Sequence, residues 1–289
     1  MRQGDDEGSA NIINYFGDII YKFTLKQAID KGHLTPYDYH PVLVSLTKFE
    51  ADIYVELTKR YAKFASSKEP RLKKIAETIL FRRSRLIGSA FNKIEALVNL
   101  IKQTRLNHGL VYCSDGSVIG PEGESLGPQI DIVVNKLRQL DPPILINRFT
   151  YEENTEVRDD MIANAESGSI DGLAAIRCLD EGVDIPSLKI AFIMASSKTE
   201  RQSIQRRGRL LRLSDGKSKA VIYDFFILPP ESESTLPVDL AEWERKLLES
   251  EIARCYNFAE LALNCNEAIN VFSDLRSRLN LNIPMKPNE

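Results

Sequence analysis

The residues best suited to chemistry lie between Cys178 and Arg212. Near the end of this stretch, Gln205, Arg209 and Arg212 are three or four residues apart, which places them on one face of a helix. Guanidinium groups are planar and permanently charged, and they suit phosphate oxygens. The same pattern is also typical of a basic helix face that only contacts solvent. Taken alone, the arginines therefore leave a phosphate-binding face and a solvated face both open.

Further groups in this stretch could hold a nucleotide or another anion. Gly182 lies in a predicted tight turn that lets the backbone approach a ligand closely, and Asp184 adds a carboxylate. Ser196 precedes a predicted helix whose free N–H groups and dipole stabilise an anion, and that helix carries Arg201 and Gln202. If these groups and the arginines share one edge of a sheet, they form a site for a nucleotide, a nucleic-acid backbone, or both. The alternative for Gly182 and Asp184 is a turn glycine followed by a helix-capping acid.

The elements that would position these residues alternate between strand and helix. Short apolar runs predict strands at 109–113, 144–150, 172–178, 188–195 and 220–228, with helices at 130–140, 152–166 and 199–211. The glycine-rich stretch 114–128 is predicted to be only a loop. This alternation predicts an α/β fold with a parallel sheet flanked by helices, in which ligands bind at the carboxyl ends of the strands.

Helices are also predicted on both sides of the alternation. Thr24 could cap a short helix that Gly32 ends, and an extended piece containing Val42 follows. Thr47 and Glu50 have the form of a capping box, which begins the first of three helices with apolar stripes typical of core faces. After the sheet, helices are predicted at 238–264 and 267–279. We expect three segments: a lead-in and helical segment at 1–89, the sheet domain at 90–230 and a helical extension at 231–289.

Composition excludes several classes of protein. The 289 residues are 43% hydrophobic and 27% charged, which is typical of a globular protein, and no apolar run approaches the ~20 residues that a membrane span needs. The first ten residues lack the apolar core of a secretory signal, so we expect a cytoplasmic protein. The four cysteines and three histidines are scattered, so neither a metal site nor a disulfide framework is predicted.

The net charge of −3 conceals a local basic cluster. Ten basic residues with little acid between them lie in the predicted helices from Lys59 to Arg85. These side chains could be solvated or could line a nucleic-acid track, and the sequence alone leaves both readings open.

Several stretches resemble the conserved motifs of superfamily-2 helicases of the DEAD/DEAH type. The stretch 205–212, QRRGRLLR, resembles motif VI, 178–186 resembles motif V, and 110–114 resembles motif IV. The stretch 148–158 resembles the corresponding segment of motors related to restriction enzymes, and the lead-in resembles the stretch that follows motif III. The resemblance implies a RecA-like fold, namely the second motor domain of a two-domain ATPase that acts on nucleic acid, with DNA favoured over RNA.

The chain contains no GxxxxGK[ST] phosphate loop and no DEAD-like acid motif for magnesium. In the family it resembles, ATP and Mg²⁺ are bound mainly by the first RecA-like domain. The resemblance therefore implies that this chain has no cofactor of its own, that the first motor domain is its partner, and that it is inactive as an ATPase alone. An alternative is a non-catalytic module that keeps the fold and binds nucleic acid or a partner protein. A dinucleotide-dependent enzyme is disfavoured because no GxGxxG follows a first strand.

The resemblance also assigns roles to single residues. Arg209 and Arg212 would be arginine fingers for the ATP phosphates, and Gly182, Asp184 and Gln205 would contact the nucleotide or support the interdomain cleft. Nucleic-acid contacts, mostly to phosphates, are predicted for Ser114, Arg148, Thr150, Arg177, Ser196, Arg201 and Gln202. Relatives often have a hydroxyl residue at the position of Ile176, and Arg177 could replace it. For Arg148 and Arg158, surface ion pairs with Glu152 or Glu156 are the alternative.

Overall fold

The computed structural model describes residues 11, 13–18, 20, 21, 23–176, 185–195, 207–230 and 238–281. The strands are β1 Tyr37–Val44, β2 Gly109–Tyr112, β3 Ser117–Ile119, β4 Ser125–Pro128, β5 Ile146–Phe149, β6 Gly172–Ala175, β7 Ile190–Ile193 and β8 Ala220–Ile227. Six of them form one sheet in the order β1-β8-β7-β2-β6-β5, and every pairing in it is parallel. The predicted α/β fold with a parallel sheet is therefore confirmed.

Helices cover both faces of this sheet. They are α1 Leu25–Asp30, α2 Lys48–Ala65, α3 Pro70–Gly88, α4 Phe91–Thr104, α5 Gln129–Arg138, α6 Thr155–Ser167, α7 Val238–Ala259, α8 Cys265–Asn270 and α9 Ser273–Leu279. One core lies between the sheet and α4 and α5, and a second lies between the sheet and α6 to α9. Alternate strand residues supply the two cores, because successive side chains of a strand point to opposite faces. Among the helices that the structure describes, none has both the length and the apolar composition of a membrane span.

Local sequence signals explain where several helices begin. Thr24 and Thr47 each accept a hydrogen bond from the backbone N–H three residues on, and each capping box is closed, as predicted. Asn154 caps α6 by accepting from Val157 N at 2.9 Å, so this helix begins later than expected. The predicted helix 238–264 ends at Ala259, and the predicted helix 267–279 is two short helices, α8 and α9.

The stretch 114–128 is not only a loop, as the sequence had predicted. It contains the antiparallel pair β3 and β4, and Val118 of β3 is fully buried in the core beside α4 and α5. Gly123 and Gly127 have positive φ values, which glycine adopts at low cost, so the chain can reverse here. The strands are too short, and too rich in glycine and proline, for their alternation to be detected in the sequence.

The helices α2 and α3 pack against each other as a hairpin, and α2 also packs against α7. A separate apolar cluster of Tyr54, Leu57, Ile79 and Leu86 joins them. The predicted division of the chain at 90 and 230 stays a prediction, although β1, from the first segment, pairs along its whole length with β8 of the second.

A buried ion pair ties α7 to the sheet. Asp224 of β8 is completely buried and accepts hydrogen bonds from Arg254 Nη1 at 2.5 Å and from Tyr39 Oη at 2.8 Å. Burial, together with the nearby Asp224 carboxylate, raises the pKa of Tyr39 well above its ordinary value. The polar contact thus fixes α7 against β1 and β8 inside an otherwise apolar core.

Candidate functional site

The helical turn that carries Arg209 ends beside the amino-terminal edge of the sheet. Thr35, just before β1, donates from its backbone N to Leu211 O at 2.7 Å and from Oγ1 to Arg212 O at 3.2 Å. Arg209 is partly buried and Arg212 is exposed. Our expectation that the arginines share the carboxyl edge with the other groups is therefore wrong for this end of the helix. The chain leaves β7 at the carboxyl edge and enters β8 at the amino edge, so the connection crosses the sheet between them.

Lys217 holds the same end of the helix in place. Its Nζ donates to Leu210 O at 2.6 Å, to Arg212 O at 2.9 Å and to Pro186 O at 3.1 Å. The side chain is buried, and this burial lowers the pKa of Lys217 to about 8, with Lys189 adding to the effect. Lys217 thus joins the residue that ends the motif V-like stretch to the end of the motif VI-like stretch. Sequence reasoning missed it, and the one signal for it is a lysine placed shortly after a helix C-terminus.

Arg207 is turned into the protein and serves the fold. It is 5% exposed, its Nη1 donates to Asn257 O at 2.5 Å, and its guanidinium lies 4.3 Å from the ring centre of Phe258. Burial raises the pKa of Tyr37, and the neighbouring Arg207 opposes that rise. Arg207 therefore anchors this helical turn on α7, and Arg209 and Arg212 are more exposed than Arg207.

Ser114 and Thr150 lie at the opposite, carboxyl edge, where they follow β2 and β5. Ser114 is buried; its N donates to Gln129 Oε1 at 2.8 Å, and its Oγ accepts from Gly116 N at 3.1 Å. Thr150 is also buried and donates from N and Oγ1 to Glu153 Oε2 at 2.6 and 2.7 Å. Burial alone would raise the pKa of the Glu153 carboxyl, but these hydrogen bonds and Arg148 hold it below its ordinary value. Both hydroxyls therefore already organise local turns.

Arg148 of β5 is surrounded by carboxylates. Its guanidinium pairs with Asp131 at 3.0 Å, with Glu153 at 3.7 Å and with Glu152. The alternative interpretation of Arg148 as a surface ion pair with Glu152 thus describes its contacts in this structure. Burial works against the charged form, but the three carboxylates raise the pKa of Arg148. A nucleic-acid phosphate would have to replace one of these carboxylates to reach it.

The other predicted site residues lie outside the described residues. They are Arg177, Gly182, Asp184, Ser196, Arg201, Gln202 and Gln205. Within the part of the chain that the structure describes, no cluster of three or more His, Cys, Asp or Glu side chains could hold a metal ion. The described site residues therefore fall into two groups: the arginines at the amino edge, and Ser114, Arg148 and Thr150 at the carboxyl side.

The parallel sheet with helices on both faces is a RecA-like fold. The Sulfolobus solfataricus SWI2/SNF2 ATPase core in complex with dsDNA has this fold, with a TM-score of 0.52 and 12% identity over 97% of this chain and 58% of that one. Residues 92–214 match the model of the helicase conserved C-terminal domain. This part of the chain is therefore similar to the conserved C-terminal domain of helicases.

Two curated proteins are similar in sequence. The DNA 3'-5' translocase XPB2 of Sulfurisphaera tokodaii is 25% identical over 217 residues, which cover 69% of this chain and 45% of that protein. The putative helicase 22 of a Sulfolobus islandicus filamentous virus is 33% identical over 81 residues, which cover 28% of this chain and 14% of that protein. The chain spans less than half the length of these relatives.

Proposed function

We propose that this chain is the C-terminal half of an ATP-dependent helicase or translocase that acts on DNA in the cytoplasm. The observation that carries this proposal lies at the amino edge of the sheet. There, hydrogen bonds from Lys217 and Thr35 hold the backbone carbonyls of residues 210–212, which fixes the backbone at Arg209 and Arg212. DNA is favoured over RNA because the relative XPB2 is a DNA translocase. The complete protein, as we propose it, joins this chain to a first RecA-like domain with a phosphate loop.

The arginines would act as arginine fingers on ATP bound by that first domain. Guanidinium groups suit phosphate oxygens, so Arg209 and Arg212 fit the group that they would contact. The contribution of these arginines to ATP hydrolysis would depend on their position, because a preorganised cation stabilises developing phosphate charge without having to move. Lys217 and Thr35 supply that preorganisation by fixing the carbonyls of 210–212. Bound ATP with Mg²⁺ would supply the phosphoryl group, and Gly182, Asp184 and Gln205 would complete the contacts of this domain.

The carboxyl side of the sheet would hold the nucleic-acid backbone. Ser114, Arg148 and Thr150 are the described residues that we propose there, and Arg177, Ser196, Arg201 and Gln202 would add to them. Contacts to phosphates fix the register of a protein on its track without reading sequence, as a translocase requires. In this arrangement the nucleotide and the track lie at opposite edges of one sheet, so a movement of the domain driven at one edge is transmitted to the other.

A non-catalytic module that binds nucleic acid or a partner protein is the second candidate. It is favoured by the burial of Ser114 and Thr150 and by the carboxylates around Arg148, which leave these groups engaged within the fold. Such a module would have no use for arginines placed to meet a nucleotide.

An ATPase measurement on this chain alone, and on the complete protein, tests the proposal. We expect no turnover by the chain alone, because phosphoryl transfer needs a phosphate cradle and a metal that it does not supply. The complete protein should hydrolyse ATP, and DNA should stimulate it. Turnover by this chain alone, or a complete protein without ATPase activity, would contradict the proposal.

A further inference from the structure

The end of the α2–α3 hairpin carries an unusual concentration of positive charge. We call residues 59–74 the basic tip. It contains Lys59, Arg60, Lys63, Lys68, Arg71, Lys73 and Lys74, and its only acid is Glu69. The chain as a whole has a net charge of −3, so this positive charge is a local feature and does not follow from overall composition.

The cations of the basic tip are exposed and form no ion pair with a carboxylate of the described residues. All seven side chains are exposed. Among the described residues, no carboxylate forms an ion pair with any of them, although Glu56, Glu69 and Glu77 lie close by in sequence. By contrast, Arg85, nearer the base of α3, pairs with Asp115 at 3.3 Å.

Helix stability does not explain the cations at the start of α3. Arg71, Lys73 and Lys74 lie in the first turns of α3, which has no acid in its first turn and no side-chain cap. The positive end of the helix dipole disfavours cations in the first turn of a helix. Acids at these positions would stabilise the helix. The charges therefore weaken α3 slightly, and binding of a polyanion would explain them.

The hairpin grows from the edge of the sheet that carries Ser114. Gln129 connects the two by donating to Gly88 O at 3.0 Å and accepting from Ser114 N at 2.8 Å. The packing here is close, since a Cβ added to Gly88 would lie 2.9 Å from Ser114 Oγ. At 1.5 Å per helical residue, the basic tip extends about 20 Å from this base.

We infer that the basic tip binds the sugar–phosphate backbone of nucleic acid that passes over the carboxyl edge of the sheet. This inference rests on the proposed function, and it adds a surface that lies outside the matched helicase domain of residues 92–214. Exposed lysines and arginines without carboxylate partners bind phosphates by releasing counterions, whatever the base sequence. The basic tip would therefore lengthen the track that the domain holds and would contribute no sequence preference.

Fluorescence anisotropy with labelled duplex DNA, measured over a series of salt concentrations, tests the inference on this chain. The variant Lys63→Gln with Lys73→Gln removes two cations from exposed helix positions, and Lys68→Gln with Lys74→Gln removes another pair. Each pair should weaken binding by about tenfold or more at ~0.1 M salt and reduce the slope of log affinity against log salt by about two. The matched control, Lys26→Gln with Lys102→Gln, removes two exposed lysines elsewhere and should bind as the wild type does.

Three outcomes would overturn the inference. If the wild type binds DNA and both tip variants bind equally well, the basic tip is not a nucleic-acid surface, while the proposed function stands. If the wild type binds neither duplex nor single-stranded DNA at low salt, the inference fails, and the proposed function is judged separately by the ATPase of the complete protein. If the tip variants bind DNA as the wild type does but bind vesicles of anionic lipid more weakly, the partner is a membrane surface instead.

Discussion

Lys217 is a side chain that positions other residues, namely the arginines that we propose to contact ATP. Replacing Lys217 by methionine should lower the free energy of unfolding by about 2 kcal/mol at pH 7, because three carbonyls lose a charged donor. The pKa of Lys217 in the folded chain, about 8, is below the ordinary 10.5, so the folded state binds fewer protons between these values. The wild type therefore gains stability relative to the variant as pH rises through this window, and the gap is constant below it.

Urea denaturation of wild type and variant at pH 7 and pH 9.5 measures this effect. Groups common to both proteins cancel in the difference. Lys219→Met is the control: it removes an exposed lysine whose surface pair with Asp38 is worth under about 1 kcal/mol, and its gap should not change with pH. A gap for Lys217→Met that stays constant or narrows as pH rises would show that the fold does not lower the pKa of Lys217.

For single residues, the sequence shows the type and the spacing but does not show which side chains are buried. Arg207 and Arg209 are two residues apart in one basic run, yet Arg207 stacks on Phe258, which lies 51 positions away in the chain. The same holds for Lys217, whose acceptors are backbone carbonyls that exist in every sequence. Spacing and resemblance were enough to predict a phosphate-binding role for the arginines as a group. Distinguishing the anchoring Arg207 from the more exposed Arg209 and Arg212 required the tertiary contacts.

The attachment of α7 to the sheet depends on a buried charge. Asp224→Ala should lower the free energy of unfolding by about 3–5 kcal/mol, because it leaves Arg254 buried without its carboxylate partner. Glu251→Gln is the control, since Glu251 contacts the same arginine at 3.5 Å from a side chain that is 45% exposed, and it should cost under about 1 kcal/mol. Equal effects of the two substitutions in denaturation experiments would contradict this account of the attachment.

Elements marked by an apolar run or a capping signal could be predicted, and the pair β3 and β4 could not. The capping boxes at Thr24 and Thr47, and the apolar runs of β2, β5, β6, β7 and β8, are local signals that the fold keeps. The pair β3 and β4 escaped prediction because its one fully buried apolar residue, Val118, lies among glycines and polar residues. What stabilises that pair is its contact with α4 and α5, which no local window contains.

In the whole molecule, the two candidate sites lie at opposite edges of the sheet, one at each end of the strands. The alternation of strand and helix predicted the parallel sheet, and the motif resemblance predicted the class of domain. The sequence did not predict which edge of the sheet the arginines occupy. That depends on where the connection between β7 and β8 ends and not on which residues it contains. The chain leaves β7 at the carboxyl edge, and residues 211 and 212 lie beside Thr35 at the amino edge, opposite the edge that carries Ser114.

The most direct test of the central claim is the ATP turnover number of the complete protein with Arg209 replaced by alanine. The account predicts that kcat falls by about 10³ or more, as expected for the loss of an arginine finger, while DNA affinity stays near the wild-type value. Arg245→Ala, which removes an exposed arginine from α7, should leave turnover unchanged. An Arg209→Ala protein that turns over ATP within about tenfold of the wild type would contradict the claim that this edge completes a nucleotide site.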